Sequence, residues 1–205
     1  MSHLYELESF VMRLIPKDRK FSVIDVGCGK GIWGYLLRAL RENVVYLCGV
    51  DITPSYLQFI KERNVYDDLI LCDSVFLPFR DRSFDLVLLS EVLEHLEKKQ
   101  AYVMLKQLES IARQLILITV PQGLVKQEAI GGISAEKHRS AWYANDFKKL
   151  GYKVVGIGCR LVKYHFAEQH TYLWGATHYI FTPIAYLMPE IAGFLVCFKE
   201  PHSHR

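Results

Sequence analysis

The chain is expected to fold as a three-layer α/β domain around a mostly parallel sheet with helices on both faces. Three observations carry this expectation. Short β-rich runs alternate with amphipathic stretches almost from end to end. The β-rich runs are near-continuously apolar rather than alternating, as burial on both faces requires. The strand–helix–strand succession repeats about five times, and such units close as a parallel sheet. At 205 residues and 51% hydrophobic, the chain fills one core of this kind and is short for two. A single domain over residues 1–205 follows, with residues 1–20 as an N-terminal helical cap.

Taken in order, Leu4 to Leu14 has helical periodicity through Leu4, Leu7, Val11 and Leu14, and Pro16 stops it. Val23 to Gly27 reads as a strand, Ile32 to Arg41 as a helix and Val44 to Asp51 as a strand. Pro54 to Arg63 is a helix with proline in its first turn. Leu69 to Cys72 and Asp85 to Leu89 are strands, Lys99 to Arg113 a helix and Leu115 to Val120 a strand. An irregular stretch, Pro121 to Ser140, carries Gly123, Gly131 and Gly132. Asn145 to Leu150 is a helix, and Tyr152 to Gly158 and Gly193 to Lys199 are the last strands.

A net charge of +3 from 25 basic and 22 acidic residues leaves no nucleic-acid footprint, so no nucleic-acid partner is expected. The cysteines (Cys28, Cys48, Cys72, Cys159, Cys197) lack C-x-x-C or zinc spacing. They read as reduced, small hydrophobes of a cytoplasmic protein, and no metal site is expected. Neither a cleavable leader nor a transmembrane-length apolar run is expected.

A doubly wound sheet binds ligands beyond the carboxyl ends of its strands, near the point where strand order reverses. The first such end is "VIDVGCGKGIWG", residues Val23 to Gly34. Gly27, Cys28, Gly29 and Gly31 let the chain turn sharply and let a ligand approach the backbone. Gly29, Gly31 and Gly34 satisfy G-x-G-x-x-G, but the glycine that follows the strand directly is Gly27, and counted from there the pattern fails at Ile32. Asp25 would repel a pyrophosphate and suits an ammonium group lying over the turn; alternatively it bonds only the amides of its own loop.

Asp51 ends the second strand, where an acid takes both ribose hydroxyls of an adenosine-containing ligand; it could instead cap the helix near Pro54, a task also open to Thr53. Asp73 and Ser74 follow the third strand, placed for the adenine amino group, though a turn-forming Asp reads the same way. After the fourth strand, "SEVLEHL" sets Glu91, Glu94 and His95 among apolar residues. Nothing in this pattern asks for phosphate. An adenosyl group carrying an amino acid, without phosphates, is S-adenosylmethionine.

The motifs "VIDVGCGKG", "GVDITPSYL", "CDSVFLPFRDRSFDLVLLSEVLEHL" and "HRSAWYANDFKKLGYKV", in this order and spacing, resemble those of class I S-adenosylmethionine-dependent methyltransferases of the type-11, small-molecule kind. The resemblance covers about Leu4 to Lys199. It implies a Rossmann-like, seven-stranded sheet, with the last strand antiparallel beside the fifth. It assigns Asp25, Gly27, Cys28, Gly29 and Gly31 to the methionine end of the cofactor, Asp51 and Ile52 to the ribose, Asp73 and Ser74 to the adenine, and Ser90 to the neighbourhood of the sulfonium. The fit is poorest over 164–192, an apolar insertion before the last strand.

Methyl transfer is an in-line displacement with a neutral thioether leaving, so alignment supplies most of the acceleration. An aromatic face, Trp33 or Tyr5, would help hold the cation. A phenol, carboxylic acid or amine nucleophile needs a proton acceptor. His95 is the first candidate and His138 the second; Glu91 and Glu94 could be bases or helix N-terminal charges. Enzymes of exocyclic amines usually carry Asn/Asp-Pro-Pro-aromatic where this chain has "SEVL", and no cysteine follows a proline as in cytosine C5 enzymes. A small or lipid-like, apolar or amphipathic acceptor is therefore expected. The apolar segment Tyr172 to Met188 suggests a sheet-edge cover, an acceptor lid, or a homodimer or membrane-surface contact. The alternatives carried alongside are an NAD(P)-dependent oxidoreductase and a non-catalytic S-adenosylmethionine-binding subunit supporting a partner.

Overall fold

The computed structural model describes residues 2–123, 125, 136–159 and 183–201; for 2–6 and 159 it describes the backbone alone. The main elements among the described residues are, in chain order, α1 (Ser2–Leu14), β1 (Phe21–Val26), α2 (Ile32–Leu40), β2 (Val44–Asp51), α3 (Pro54–Lys61), β3 (Asp68–Leu71), β4 (Phe84–Ser90), α4 (Lys98–Ile111), β5 (Ala112–Pro121), α5 (Ala144–Lys149), β6 (Lys153–Cys159) and β7 (Ala192–Lys199).

The strands form one sheet in the order β3-β2-β1-β4-β5-β7-β6. Strands β1 to β5 pair in parallel, and β7 lies antiparallel to both β5 and β6. The seven-stranded, mostly parallel architecture with an antiparallel last strand beside the fifth is therefore present. Strand order reverses between β1 and β4, which places the ligand crevice at that pair.

Each sheet face has its own apolar layer. Leu7, Val11, Met12 and Ile15 of α1 and its trailing turn pack with Trp33 and Leu37 of α2, Leu57 and Ile60 of α3, and Val23, Leu86, Leu117 and Val196 of the sheet. On the opposite face Ala101, Met104, Leu105, Leu108 and Ile111, spaced to line one side of α4, meet Ile24, Val26, Val87, Leu89, Ile116 and Ile118. The stripe of α1 is thus spent on the sheet. The Tyr5 side chain lies outside the described residues.

Element bounds follow the sequence closely. Strand β5 begins earlier than its apolar run suggests, because the Arg113 guanidinium anchors that start: it reaches Asp85 Oδ1 at 3.0 Å and the carbonyls of Arg82 and Ser83 at 2.6 and 2.9 Å. Most of the irregular stretch and of the 164–192 insertion lie outside the described residues. Of the apolar segment, residues 183–187 are helical. Ala185 is buried, while Ile184, Tyr186, Leu187 and Met188 are exposed. Tyr186 meets Phe10 of α1 edge to face, 5.5 Å between centroids. Among the described residues no helix is long and apolar enough to cross a membrane.

Candidate active site

Because β3, β2, β1 and β4 are parallel neighbours, the residues following them emerge along one sheet edge: Gly27 to Gly31, Ile52, Asp73 with Ser74, and Glu91. The acids read from the sequence therefore share a crevice edge.

Asp25 lies beneath the glycine turn and is fully buried. Its Oδ2 accepts a 2.6 Å hydrogen bond from the Tyr66 hydroxyl, which itself accepts the Gly34 N–H at 3.1 Å. Its Oδ1 is buried with no hydrogen-bond partner. Burial pushes the Asp25 carboxyl up to about 7; the Tyr66 bond opposes the rise and the nearby Asp51 charge adds to it. Burial likewise raises the Cys28 thiol, which is packed inside the turn.

The turn spends its own amides. Gly27 and Cys28 donate to the Val50 carbonyl at 2.7 and 3.0 Å, and Gly31 to the Cys28 carbonyl at 2.8 Å. Gly29 donates to Asp51 Oδ2 at 2.8 Å. A diphosphate would need those donors and would face two carboxylates. Gly27, at φ +73°, leaves room for the loop after β4: a Cβ there would come within 2.3 Å of Val92 Cγ2. At Gly29, with φ +52°, a Cβ would meet nothing within 4 Å, so this part of the turn opens onto free space.

Asp51 is 8% exposed and plays a second part, since its Oδ1 accepts the Thr53 N–H at 2.8 Å and so organises the entry to α3. Thr53 supplies no side-chain cap of its own. Asp73 accepts the Val75 N–H at 2.9 Å, the turn-forming geometry, with half-buried Ser74 beside it. Ile52 is half exposed.

Beyond β4, three side chains form a relay. Thr119 donates to Glu91 Oε1 at 3.0 Å, so the 2.7 Å contact between Ser90 Oγ and Thr119 Oγ1 has Ser90 as donor. Glu91 holds φ +55°, costly for a residue with a Cβ. Burial pushes its carboxyl up to about 7, against the pull of the Thr119 bond. Glu94, 2% exposed, has both carboxylate oxygens buried without a partner; burial first and Glu91 second raise it well above the usual range.

His95 Nδ1 lies 3.3 Å from the Lys137 carbonyl and His138 Nδ1 2.7 Å from the Val125 carbonyl. Carbonyls only accept, so both Nδ1–H groups donate. The rings stand edge to face, centroids 4.9 Å apart. Burial lowers the His95 pKa, favouring its neutral form.

The second histidine is brought in by a latch. The Glu94 carbonyl accepts the Arg139 and Ser140 N–H groups at 2.7 and 3.1 Å. Ser140 Oγ donates to the Leu93 carbonyl at 3.2 Å and accepts Trp142 Nε1–H at 3.0 Å. Trp142 is fully buried, and Lys98 Nζ lies 3.5 Å over its ring.

Residues 24–115 match the family model described as a methyltransferase domain. That match covers a little under half of the chain. Among its relatives is an uncharacterised protein of Methanocaldococcus jannaschii, 28% identical over 153 residues, 74% of this chain and 64% of that one. A malonyl-[acyl-carrier protein] O-methyltransferase of Yersinia pestis is 23% identical over 76% of this chain and 55% of its own. An 18S rRNA (guanine-N(7))-methyltransferase of Bos taurus is 35% identical over 35% of this chain and 25% of its own. The chain thus spans less than two thirds of the length of these curated relatives. Its fold is that of a crystallised S-adenosylmethionine-dependent methyltransferase from Archaeoglobus fulgidus, with a TM-score of 0.62, 18% identity, and 96% and 93% of the two chains covered.

The Archaeoglobus fulgidus neighbour is S-adenosylmethionine-dependent, and two features of the crevice here fit that cofactor. The unpartnered Asp25 Oδ1 calls for a cationic or donor group, and the open face at Gly29 leaves room for one. Sequence reasoning missed Tyr66, which ties Asp25 to α2, and Thr119, the centre of the relay. A lone hydroxyl inside the apolar run "LILITV" was a readable signal for Thr119; Tyr66 sits in a loop with no pattern to mark it.

Proposed function

We propose that the protein transfers a methyl group from S-adenosylmethionine to a small, apolar or amphipathic acceptor by in-line displacement. The observation that carries this reading is the glycine turn, where two carboxylates and four internally spent amides favour a phosphate-free, cationic cofactor. The cofactor, when bound, supplies an electrophilic methyl on a sulfonium. Asp25, with Gly27, Cys28, Gly29 and Gly31, holds its amino-acid end. Asp51 takes the ribose hydroxyls on lone pairs left free by Gly29 and Thr53, Ile52 lies against the nucleoside, Asp73 and Ser74 receive the adenine, and Ser90 borders the sulfonium. The acceptor lies against the cluster after β4, where His95 takes its proton and His138 is the second candidate. The small net charge and the exposed apolar residues Ile184, Tyr186, Leu187 and Met188 favour an apolar acceptor over a polyanion.

The reading is tested with donor carrying a radiolabelled methyl, incubated separately with a metabolite extract and with total RNA. Label in organic-extractable small molecules is expected; label confined to RNA would replace the acceptor class. Calorimetric titration with S-adenosylhomocysteine should show binding. Binding of NADH alone would overturn the cofactor assignment.

Two substitutions separate the halves of the site. Asp51→Ala should weaken S-adenosylhomocysteine binding by about 1–3 kcal/mol through lost ribose hydrogen bonds, measured by the same titration. His95→Ala should lower turnover by about 10²–10⁴-fold, the usual worth of a positioned proton acceptor, while leaving that affinity essentially unchanged.

A further inference from the structure

We propose that Glu94, His95 and His138 form a binding site for a divalent transition-metal ion of the zinc or manganese type. One ligand atom from each residue lies within 4.8 Å of the other two. Ligands about 2.1 Å from a common ion stand up to about 4 Å apart, so small rotamer adjustments close the site.

Two independent features point to a cation. The Glu94 carboxylate is buried and both its oxygens lack a partner, an arrangement that costs free energy until an ion or donor satisfies it. The two imidazoles are already oriented: each Nδ1–H reaches a backbone carbonyl, the outer-shell bond that positions metal-binding histidines. The latch through Ser140 and Trp142 holds the two halves of the site, which are far apart in sequence, on a rigid base.

Two nitrogens and one carboxylate oxygen select zinc, manganese, iron(II), cobalt or nickel over magnesium or calcium, which prefer all-oxygen sites. Three protein ligands leave coordination positions open for water or substrate. The role of the ion rests on the function proposed above: beyond β4 it would hold an acceptor through oxygen. Loaded, the site would lower the pKa of a bound acceptor hydroxyl, whose proton leaves to solvent, in place of proton transfer to His95.

Metal binding itself is tested without any acceptor. Chelator-stripped protein is titrated with cobalt(II), zinc(II), manganese(II) and magnesium(II), followed by calorimetry and, for cobalt, by visible absorption. One equivalent of cobalt with ligand-field bands is expected, with magnesium far weaker. Glu94→Gln and His138→Ala should each lose about tenfold or more in affinity, with circular dichroism reporting that they fold. S-adenosylhomocysteine binding should persist in both, so failure of the metal site and failure of the cofactor site remain distinguishable. Absence of stoichiometric cobalt binding, or binding that neither variant weakens, would overturn the proposal.

Discussion

Asp25→Asn should make the cofactor-free protein more stable at pH 8 by about 4 kcal/mol, while weakening its hold on S-adenosylmethionine. The carboxyl sits at about 7 in the folded protein against 3.8 for an ordinary aspartate, and each tenfold difference in acidity is worth about 1.4 kcal/mol. The folded state keeps a proton that the unfolded chain releases from about pH 4 upward. This contribution is therefore fully present below pH 4, is lost as pH rises through about 7, and is flat above that. Asparagine can accept the Tyr66 hydroxyl hydrogen bond without carrying a charge, so the variant should lose that slope. Urea unfolding between pH 4 and 8 measures it; parallel wild-type and variant profiles would remove Asp25 as its source. The same proton bears on cofactor binding, because an ammonium group near Oδ1 stabilises the ionised form. Affinity of the wild type for S-adenosylhomocysteine should rise from pH 5.5 to about 7 and then level off, with proton uptake or release visible in buffers of different ionisation enthalpy. In Asp25→Asn that rise should disappear.

The second large effect is expected at Trp142, a residue with no chemistry of its own. Trp142→Ala should destabilise the fold by about 3–5 kcal/mol, the range for emptying a fully buried aromatic site. The ring packs against Tyr102 and Phe147, with centroids 5.6 and 5.2 Å away, and lies under the Lys98 ammonium. Its Nε1–H also fixes Ser140, which clasps Leu93. Losing it should therefore release His138 from His95 and reduce turnover even where the variant remains folded. Trp142→Phe should recover much of the stability but not the Ser140 bond. Chemical denaturation and turnover measured on the same samples check both halves, and unchanged stability in Trp142→Ala would refute the packing argument.

What was readable in the sequence and what was not divide along physical lines. Fully buried strands such as β1 and β4 announce themselves as apolar runs, and the acids Asp25 and Asp51 stand out against them because charge inside such a run is expensive. Their position at strand ends was therefore visible, as was the shared edge. The partners of those acids were not. Asp25 was expected to hold an ammonium or its own loop's amides; it is Asp51 that bonds a loop amide, at Gly29, while Asp25 meets Tyr66. That difference arises from how α2, α3 and the turn before β3 pack, which no local pattern encodes. The pairing of His95 with His138 was equally hidden. Each was read as a separate base candidate, because the latch that joins them runs through backbone carbonyls and a serine.

The insertion of β7 between β5 and β6 gives the molecule a built-in order of assembly. The half-sheet from β3 to β5 can pair as it leaves the ribosome, since each strand after β1 emerges when its neighbour has already been made. β6, by contrast, has no pairing partner until β7 follows it, so the β6–β7 side of the sheet waits longest with open edges. Chaperone engagement and aggregation during synthesis should therefore concentrate on that side, with the β3–β5 part of the sheet formed first.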